Sequence, residues 1–250
     1  MYQTLFKPLF IDIKTFVLDT LFPISCLSCG QEGDFICADC KSTMKKLEHQ
    51  RCIVCQKNTP FGVTHPHCQT PHGADGLISF YDYHDEKVSK IIIAGKYNFI
   101  PMVYEILGQM IANQLKIQHP DLTTANSYEL AYIPLHSTRQ RWRGFNQAEV
   151  LCQAIGKELD LPMSNPLIRS KITKTQKDLK KDSRLKNVTD AFAVAPSPSE
   201  GRDGERLQIQ GKNLILVDDV TTTGATLQQA AKILKRHGAS KVICLTVARD

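Results

Sequence analysis

Asp218 and Asp219 stand side by side after four aliphatic residues, Leu214-Ile215-Leu216-Val217, and lead into Val220-Thr221-Thr222-Thr223-Gly224-Ala225-Thr226. Two adjacent carboxylates can accept hydrogen bonds from a vicinal diol. Leu227, Ala230, Ala231 and Leu234 then recur at helical spacing until Gly238, so the threonine-rich loop ends at a helix N-terminus. There the backbone amides of Thr222, Thr223, Gly224, Ala225 and Thr226, helped by the threonine hydroxyls, can surround a phosphate through unpaired donors and the helix dipole. A phosphate beside a diol is a ribose phosphate. The aliphatic run that delivers the acids reads as a strand buried on both faces, and such parallel strands end at the sheet edge where ligands bind.

Cysteines make the second constellation. Seven of the nine lie between Cys26 and Cys68, as Cys26-x-x-Cys29, Cys37-x-x-Cys40, Cys52-x-x-Cys55 and the end of His65-Pro66-His67-Cys68. His65 completes a fourth pair at the same spacing. Eight thiolate and imidazole ligands suffice for two tetrahedral zinc sites, and a two-residue spacer lets both members of a pair reach one ion. The simplest pairing puts Cys26, Cys29, Cys37 and Cys40 on one ion, and Cys52, Cys55, His65 and Cys68 on the other. Interleaved pairing competes with it, and His67 competes with His65. With no open coordination position and little aliphatic core around them, the zinc ions are structural and supply folding free energy.

A third group of residues carries positive charge. Leu130-Ala131-Tyr132-Ile133 reads as a strand that ends in Pro134-Leu135-His136, a turn able to offer backbone amides to a second anion. Arg139, Arg141 and Arg143 follow around Trp142, in a stretch through Glu149 that opens a helix. Arginines there can pair bidentately with pyrophosphate, or stack and clamp a nucleic-acid backbone. Between residues 169 and 186 eight Lys or Arg face two Asp, as large an excess as the chain's whole net charge of +6. Lys171, Lys180 and Arg184 of this segment join the three arginines as candidates for holding pyrophosphate or nucleic acid.

The elements that must position these groups are legible in outline. Leu77 to Tyr81 begins a regular α/β pattern, with helices suggested over Val88 to Gly95 and Tyr104 to Leu115; Lys90, Lys96 and Tyr97 read as scaffold near their junction. The domain boundary falls near residue 75, giving an N-terminal helix and double zinc-ribbon module over 1–75 and an α/β domain over 76–250. Cys152, in a helix pattern, and Cys244, in a terminal strand, read as ordinary buried thiols. Residues 196–204, rich in Pro, Ser and Gly, read as a loop excursion.

The segment from Leu214 to Thr226 resembles the 5-phosphoribosyl-1-pyrophosphate (PRPP) signature of type I phosphoribosyltransferases, with a Walker-type acidic strand end as the competing reading. Arg143-Gly144-Phe145-Asn146-Gln147-Ala148-Glu149 narrows the likeness: the chain resembles the ComF family of competence-associated proteins from about Leu21 to Arg249. Arg169, Lys171, Thr173, Gln176, Leu179, Arg184, Asn187 and Phe192 fit a further family pattern. Thr175, where many members carry proline, and the histidine in the fourth zinc pair depart from it. The resemblance implies an α/β fold, a type I phosphoribosyltransferase-like core with a mainly parallel sheet flanked by helices, preceded by a small zinc-ribbon module. It also implies pyrophosphate at Leu135 and His136, Asp218 and Asp219 as the acids that fix the ribose, and Mg²⁺ accompanying PRPP. Residues near 169–190 become the hood between core strands.

Two functions follow. One is a cytoplasmic factor that handles single-stranded DNA in natural transformation, alongside other DNA-uptake proteins. The other is a phosphoribosyltransferase that transfers phosphoribosyl from PRPP to a nitrogen acceptor. The basic hood suits a polyphosphate lid and a salt-sensitive grip on single-stranded DNA equally. The apolar stretch before Ser25 is broken by Lys7, Asp12, Lys14 and Asp19, which excludes a membrane span. It lacks a secretory cleavage pattern, and its one-sided apolar spacing reads as a docked helix, with a membrane-surface helix as the alternative. Reduced thiols in the cytoplasm are expected.

Overall fold

The computed structural model describes residues 23–124, 127–169, 191–195 and 209–250. The expected N-terminal helix, almost all of the hood (with Lys171, Lys180 and Arg184) and the whole 196–204 excursion lie outside them. The described helices are α1 (Ala38–Thr43), α2 (Glu86–Tyr97), α3 (Met102–Gln118), α4 (Ser137–Arg143), α5 (Gln147–Leu159) and α6 (Ala225–Arg236). The strands are β1 (Gly76–Asp82), β2 (Glu129–Tyr132), β3 (Leu167–Arg169), β4 (Phe192–Val194), β5 (Asn213–Thr221) and β6 (Lys241–Arg249).

Four strands form one sheet in the order β1-β6-β5-β2, with every pairing parallel. Side chains alternate across a strand, and β5 uses both faces. Leu214 and Leu216 pack with Leu227, Ala230, Ala231 and Leu234 of α6, while Ile215 and Val217 pack on the opposite side with apolar residues of α2, α3 and α5. That two-sided burial is why the run contains no polar residue before Asp218. The antiparallel pair β3 and β4, with Leu167 opposite Val194 and Arg169 opposite Phe192, flanks the hood segment in the chain.

The zinc-module residues close the outer edge of β1, where unpaired backbone groups would otherwise be exposed. Leu47 N–H donates to the Phe80 carbonyl at 2.9 Å and Asp82 N–H to the Lys45 carbonyl at 3.0 Å. One residue before Phe80 the Gln50 amide takes the place of a neighbouring strand at Ser79, donating to its carbonyl at 2.7 Å and accepting from its N–H at 3.0 Å. The module also enters both apolar layers: Cys26, Ile36, Cys37, Cys40 and Met44 join the α2–α3 side, and Ile53 joins the α6 side.

One expectation needs correcting. The stretch from Arg139 to Glu149 does not open a single helix but spans the end of α4 and the start of α5. Gly144, at φ +81°, ends α4 in the left-handed conformation, and Asn146 caps α5 by accepting from Ala148 N–H at 3.1 Å. Asn146 also donates to the Ile133 carbonyl at 3.0 Å, which ties the corner to the end of β2.

Candidate functional site

β2 leaves β5 at Val217, whose carbonyl accepts from Ile133 N–H at 2.9 Å, whereas β5 stays paired with β6 through Thr221. The two acids therefore stand on the last, one-sided part of β5, at the carboxyl edge of the sheet. Asp219 is buried, and its Oδ2 lies 2.7 Å from Lys96 Nζ and 3.4 Å from the amide nitrogen of Gln147. Its Oδ1 accepts from Val220 N–H at 2.7 Å. Asp218 is half-buried and accepts from Asp219 N–H at 2.9 Å. Burial, then the adjacent Asp219 charge, push its carboxyl up to about 7. The two acids differ in surroundings: Asp219 has a cation in contact, while Asp218 takes up a proton more readily than an ordinary carboxyl.

Lys96, which reads as scaffold in the sequence, and Gln147, which reads only as part of the Arg143–Glu149 block, are site residues to which the sequence assigns no chemical role. Lys96 sits in the last turn of α2, near the junction read as scaffold, and Gln147 is the first residue of α5. Only a three-dimensional neighbour identifies either one.

After Thr221 the chain turns through Thr222, Thr223 and Gly224 into α6. Thr223 Oγ1 accepts from Ala225 N–H at 3.4 Å, and Gly224 takes φ +79°. Thr222, Thr223, Ala225 and Thr226 are half-buried, so the loop and helix start lie near the surface beside the acids. A Cβ on Gly224 would stand 2.7 Å from Ile53 Cγ1, and Gln56 donates to the Thr223 carbonyl at 3.2 Å. The loop is backed by the Cys52–Cys55 turn, a contact that motif spacing gave no reason to expect.

Leu135 and His136 lie between the end of β2 and α4, and both are half-buried. The His136 ring accepts from Thr138 N–H at 3.2 Å and so caps α4. Arg139 and Arg143 are half-buried and Arg141 is exposed. Arg143 carries its guanidinium 6.0 Å from the centre of the Trp142 ring, and its buried Nε has no hydrogen-bond partner among the described residues. Arg169, at the end of β3, lies over the Phe192 ring at 5.4 Å. Burial first, then the charge of Arg139, lower its pKa, with Asp218 opposing them. Arg139, Arg169 and Asp218 therefore share one electrostatic neighbourhood, and Arg169 joins the candidate site as a residue the sequence reading kept only as a pattern match.

The cysteines and histidine gather as two sets, Cys26, Cys29, Cys37 and Cys40, and Cys52, Cys55, His65 and Cys68, each with its ligand atoms within 4.8 Å of one another. Sequential pairing is the arrangement found. A tetrahedral zinc with bonds of about 2.3 Å separates its sulfurs by roughly 3.8 Å, and Cys29 and Cys37 Sγ are 3.6 Å apart. His65 turns Nδ1 toward Cys55 Sγ at 3.2 Å and Nε2 toward the Asn58 carbonyl at 3.1 Å. Donation from Nε2–H assigns the tautomer with Nδ1 available to a metal. His67 stacks on His65 and is not in the set. Burial opposes ionisation of Cys26 and Cys52, but backbone N–H groups, of Cys37, Cys29 and Ser28 for the first and of Cys55, His65 and Val54 for the second, bring both thiols down to about 6. The donor chemistry fits structural zinc.

Two family models match the chain in turn. The double zinc ribbon domain model matches residues 17–70, and the phosphoribosyl transferase domain model matches residues 147–250. The molecule is a phosphoribosyltransferase-type α/β domain carrying an N-terminal double zinc ribbon. Competence protein F of Haemophilus influenzae is 29% identical over 86% of this chain and 97% of its own. DNA utilization protein YhgH of Escherichia coli is 29% identical over 86% of this chain and 90% of its own, and competence protein ComFC of Bacillus subtilis 28% over 86% and 84%. Over most of its length the chain is thus similar to competence and DNA-utilization proteins of the ComF type, and it has the zinc-ribbon and phosphoribosyltransferase parts in that order. A solved hypoxanthine phosphoribosyltransferase of Staphylococcus aureus is a more distant likeness, 11% identical over 59% of this chain and 63% of that one, with a TM-score of 0.35. Among the described residues no helix is long and apolar enough to cross a membrane.

Proposed function

We propose that this protein handles single-stranded DNA in the cytoplasm during natural transformation and carries a binding site for PRPP with Mg²⁺. The names of its relatives support the first part. The observation that carries the second is the acid pair on the one-sided end of β5, immediately before a left-handed glycine and a helix N-terminus. In this reading the amides from Thr222 to Thr226 receive the 5-phosphate and the acids accept from the ribose hydroxyls. Lys96 would yield Asp219 to the sugar. Leu135 and His136 would offer backbone donors to the pyrophosphate, with Arg139 and Arg169 nearby. Mg²⁺ bound with PRPP would supply charge neutralisation at the pyrophosphate. The division proposed is a zinc module over 1–75 and a phosphoribosyltransferase-like domain over 76–250.

The second reading, transfer of phosphoribosyl to a nitrogen acceptor, is favoured by the same acids. As the bond to pyrophosphate breaks, positive charge grows on the ribose, and fixed carboxylates stabilise it. Calorimetric titration with PRPP and Mg²⁺ tests the site, and Asp219→Ala should abolish the heat. No binding by the parent protein would remove both the PRPP site and the transferase. Release of pyrophosphate without an acceptor-dependent increase would leave the binding site and remove the transferase. For DNA, affinity for a labelled oligonucleotide should fall steeply with salt. Adding PRPP to that complex then distinguishes a shared surface, by displacement, from separate ones.

A further inference from the structure

Beside the acid pair the surface is aromatic. Lys96 ends its reach at Asp219, and the next residue, Tyr97, brings its ring 6.4 Å from that of Trp142. The Phe99 ring lies 5.2 Å from Trp142, and both rings meet the indole edge-on, at 67° and 68°. Trp142 is 58% exposed, Tyr97 46%, and Phe99 and Met102 45% each. Single exposed apolar side chains are ordinary, but a contiguous group of large ones marks a binding surface. Phe99 also holds φ +57°, a left-handed backbone that a side chain of its size adopts at a cost. The strained residue is one that presents its ring to solvent.

The charges around the patch indicate what covers it. Arg143 lies against the indole and Arg141 is exposed on the same short helix. Flat apolar faces bordered by guanidinium groups complement a ligand that alternates planar π-systems with anions. An apolar protein partner would use the rings but leave the guanidinium groups of Arg141 and Arg143 without a role, and a lipid surface would leave the flat ring faces without planar partners. Resting on the DNA-handling reading, we infer that Trp142, with Tyr97 and Phe99, is a stacking platform for the bases of single-stranded nucleic acid, whose phosphates pair with Arg141 and Arg143. Bases are then held without sequence preference, because every base offers a π-face. The platform adjoins the ribose-phosphate site through Lys96 and Tyr97, so a strand lying on it ends next to the acids.

Trp142 is the only tryptophan in the chain, so its emission reports on this patch alone. The full-length, zinc-loaded protein is titrated with an end-labelled oligothymidylate while tryptophan emission and label anisotropy are followed together. Emission should be quenched in step with the anisotropy rise, and an abasic oligomer of equal length should bind more weakly and leave emission unchanged. Because Trp142 is exposed, its variants keep the fold. Trp142→Ala should weaken binding about tenfold or more, and Trp142→Phe should recover most of the loss. Binding with emission unchanged, or equal affinity of Trp142→Ala, overturns the platform and leaves DNA binding intact. No anisotropy change in the parent protein removes the DNA-handling reading and the platform with it. A blue shift on phosphatidylglycerol vesicles without quenching by the oligonucleotide would assign the face to membranes instead.

Discussion

Gly224→Ala tests whether the second zinc ribbon and the phosphate loop are one mechanical unit. Two costs are expected. An alanine held at φ +79° pays about 1–2 kcal/mol for the left-handed backbone. Its methyl, 2.7 Å from Ile53 Cγ1 and 3.3 Å from Cδ1, meets a residue only 2% exposed, and such overpacking adds about 1–3 kcal/mol. The single variant should lose about 2–5 kcal/mol in all. Ile53→Ala alone empties a buried site and should cost about 2–4 kcal/mol. In the double variant the new methyl enters the vacated space, so only the backbone cost of Gly224→Ala remains. The combined loss should fall below the sum of the singles by about 1–3 kcal/mol. Urea unfolding of the four zinc-loaded proteins measures this, with an unchanged m-value required for the comparison. Additivity within about 0.5 kcal/mol would refute the packing argument and leave the glycine as a purely local turn residue.

Three further predictions concern the acids and the metals. Asp218, lifted to about 7 by burial and then by Asp219, stands above the value near 4 that it has when unfolded. The folded chain keeps a proton that the unfolded chain releases, so this group's stabilisation is complete below about pH 4 and is lost as pH rises through 7. Asp218→Asn should therefore melt above the parent at pH 8 and draw level toward pH 4; a difference that does not vary with pH counts against the shift. Lys96→Met removes the cation from buried Asp219 and should cost about 3 kcal/mol in chemical denaturation, while adding Asp219→Asn should restore part of it. Full-length protein purified without chelator should carry two zinc ions by elemental analysis, falling to one in Cys29→Ser or Cys68→Ser; near-zero content in the parent would sink both sites.

The strand, the acids and the threonine loop are legible in sequence because each is local. Four aliphatic residues must be buried on both faces, and the acids follow directly in the chain. The two zinc sets are legible for the same reason, since a two-residue spacer is a local constraint, although their pairing emerges only when His65 and Cys68 fold back against Cys52 and Cys55. Lys96 and Gln147 escape such a reading. Their roles come from an ion pair and an amide contact with Asp219 across more than seventy residues of chain in each case; Lys96 sits in no motif, and Gln147 sits in the Arg143–Glu149 block, which names no partner for it. The break between α4 and α5 was available in principle, since Gly144 and Asn146 are ordinary stop and start residues. Gln50 has no signal at all, because an amide standing in for a strand depends wholly on the edge it meets.

The contacts of the ribbons argue against treating the zinc module as an appendage. One ribbon supplies Cys26, Cys37 and Cys40 to the apolar layer that also holds α2 and α3, and the other supplies Ile53 to the layer beneath α6. Gln56, at φ +63° just past the Cys52–Cys55 turn, donates to the Thr223 carbonyl and accepts from the buried Arg249 guanidinium, which also donates to the Arg51 carbonyl at 2.7 Å. A buried cation held by backbone and amide oxygens is costly to set loose, because its partners are lost together. Loss of the second zinc should therefore free Gln56 and Ile53, and with them the supports of the phosphate loop. A PRPP-analogue affinity that falls when Cys68 is replaced, but far less when Cys29 is replaced, is the result this connectivity requires. Equal losses would mean that the ribbons act on the site only through global stability.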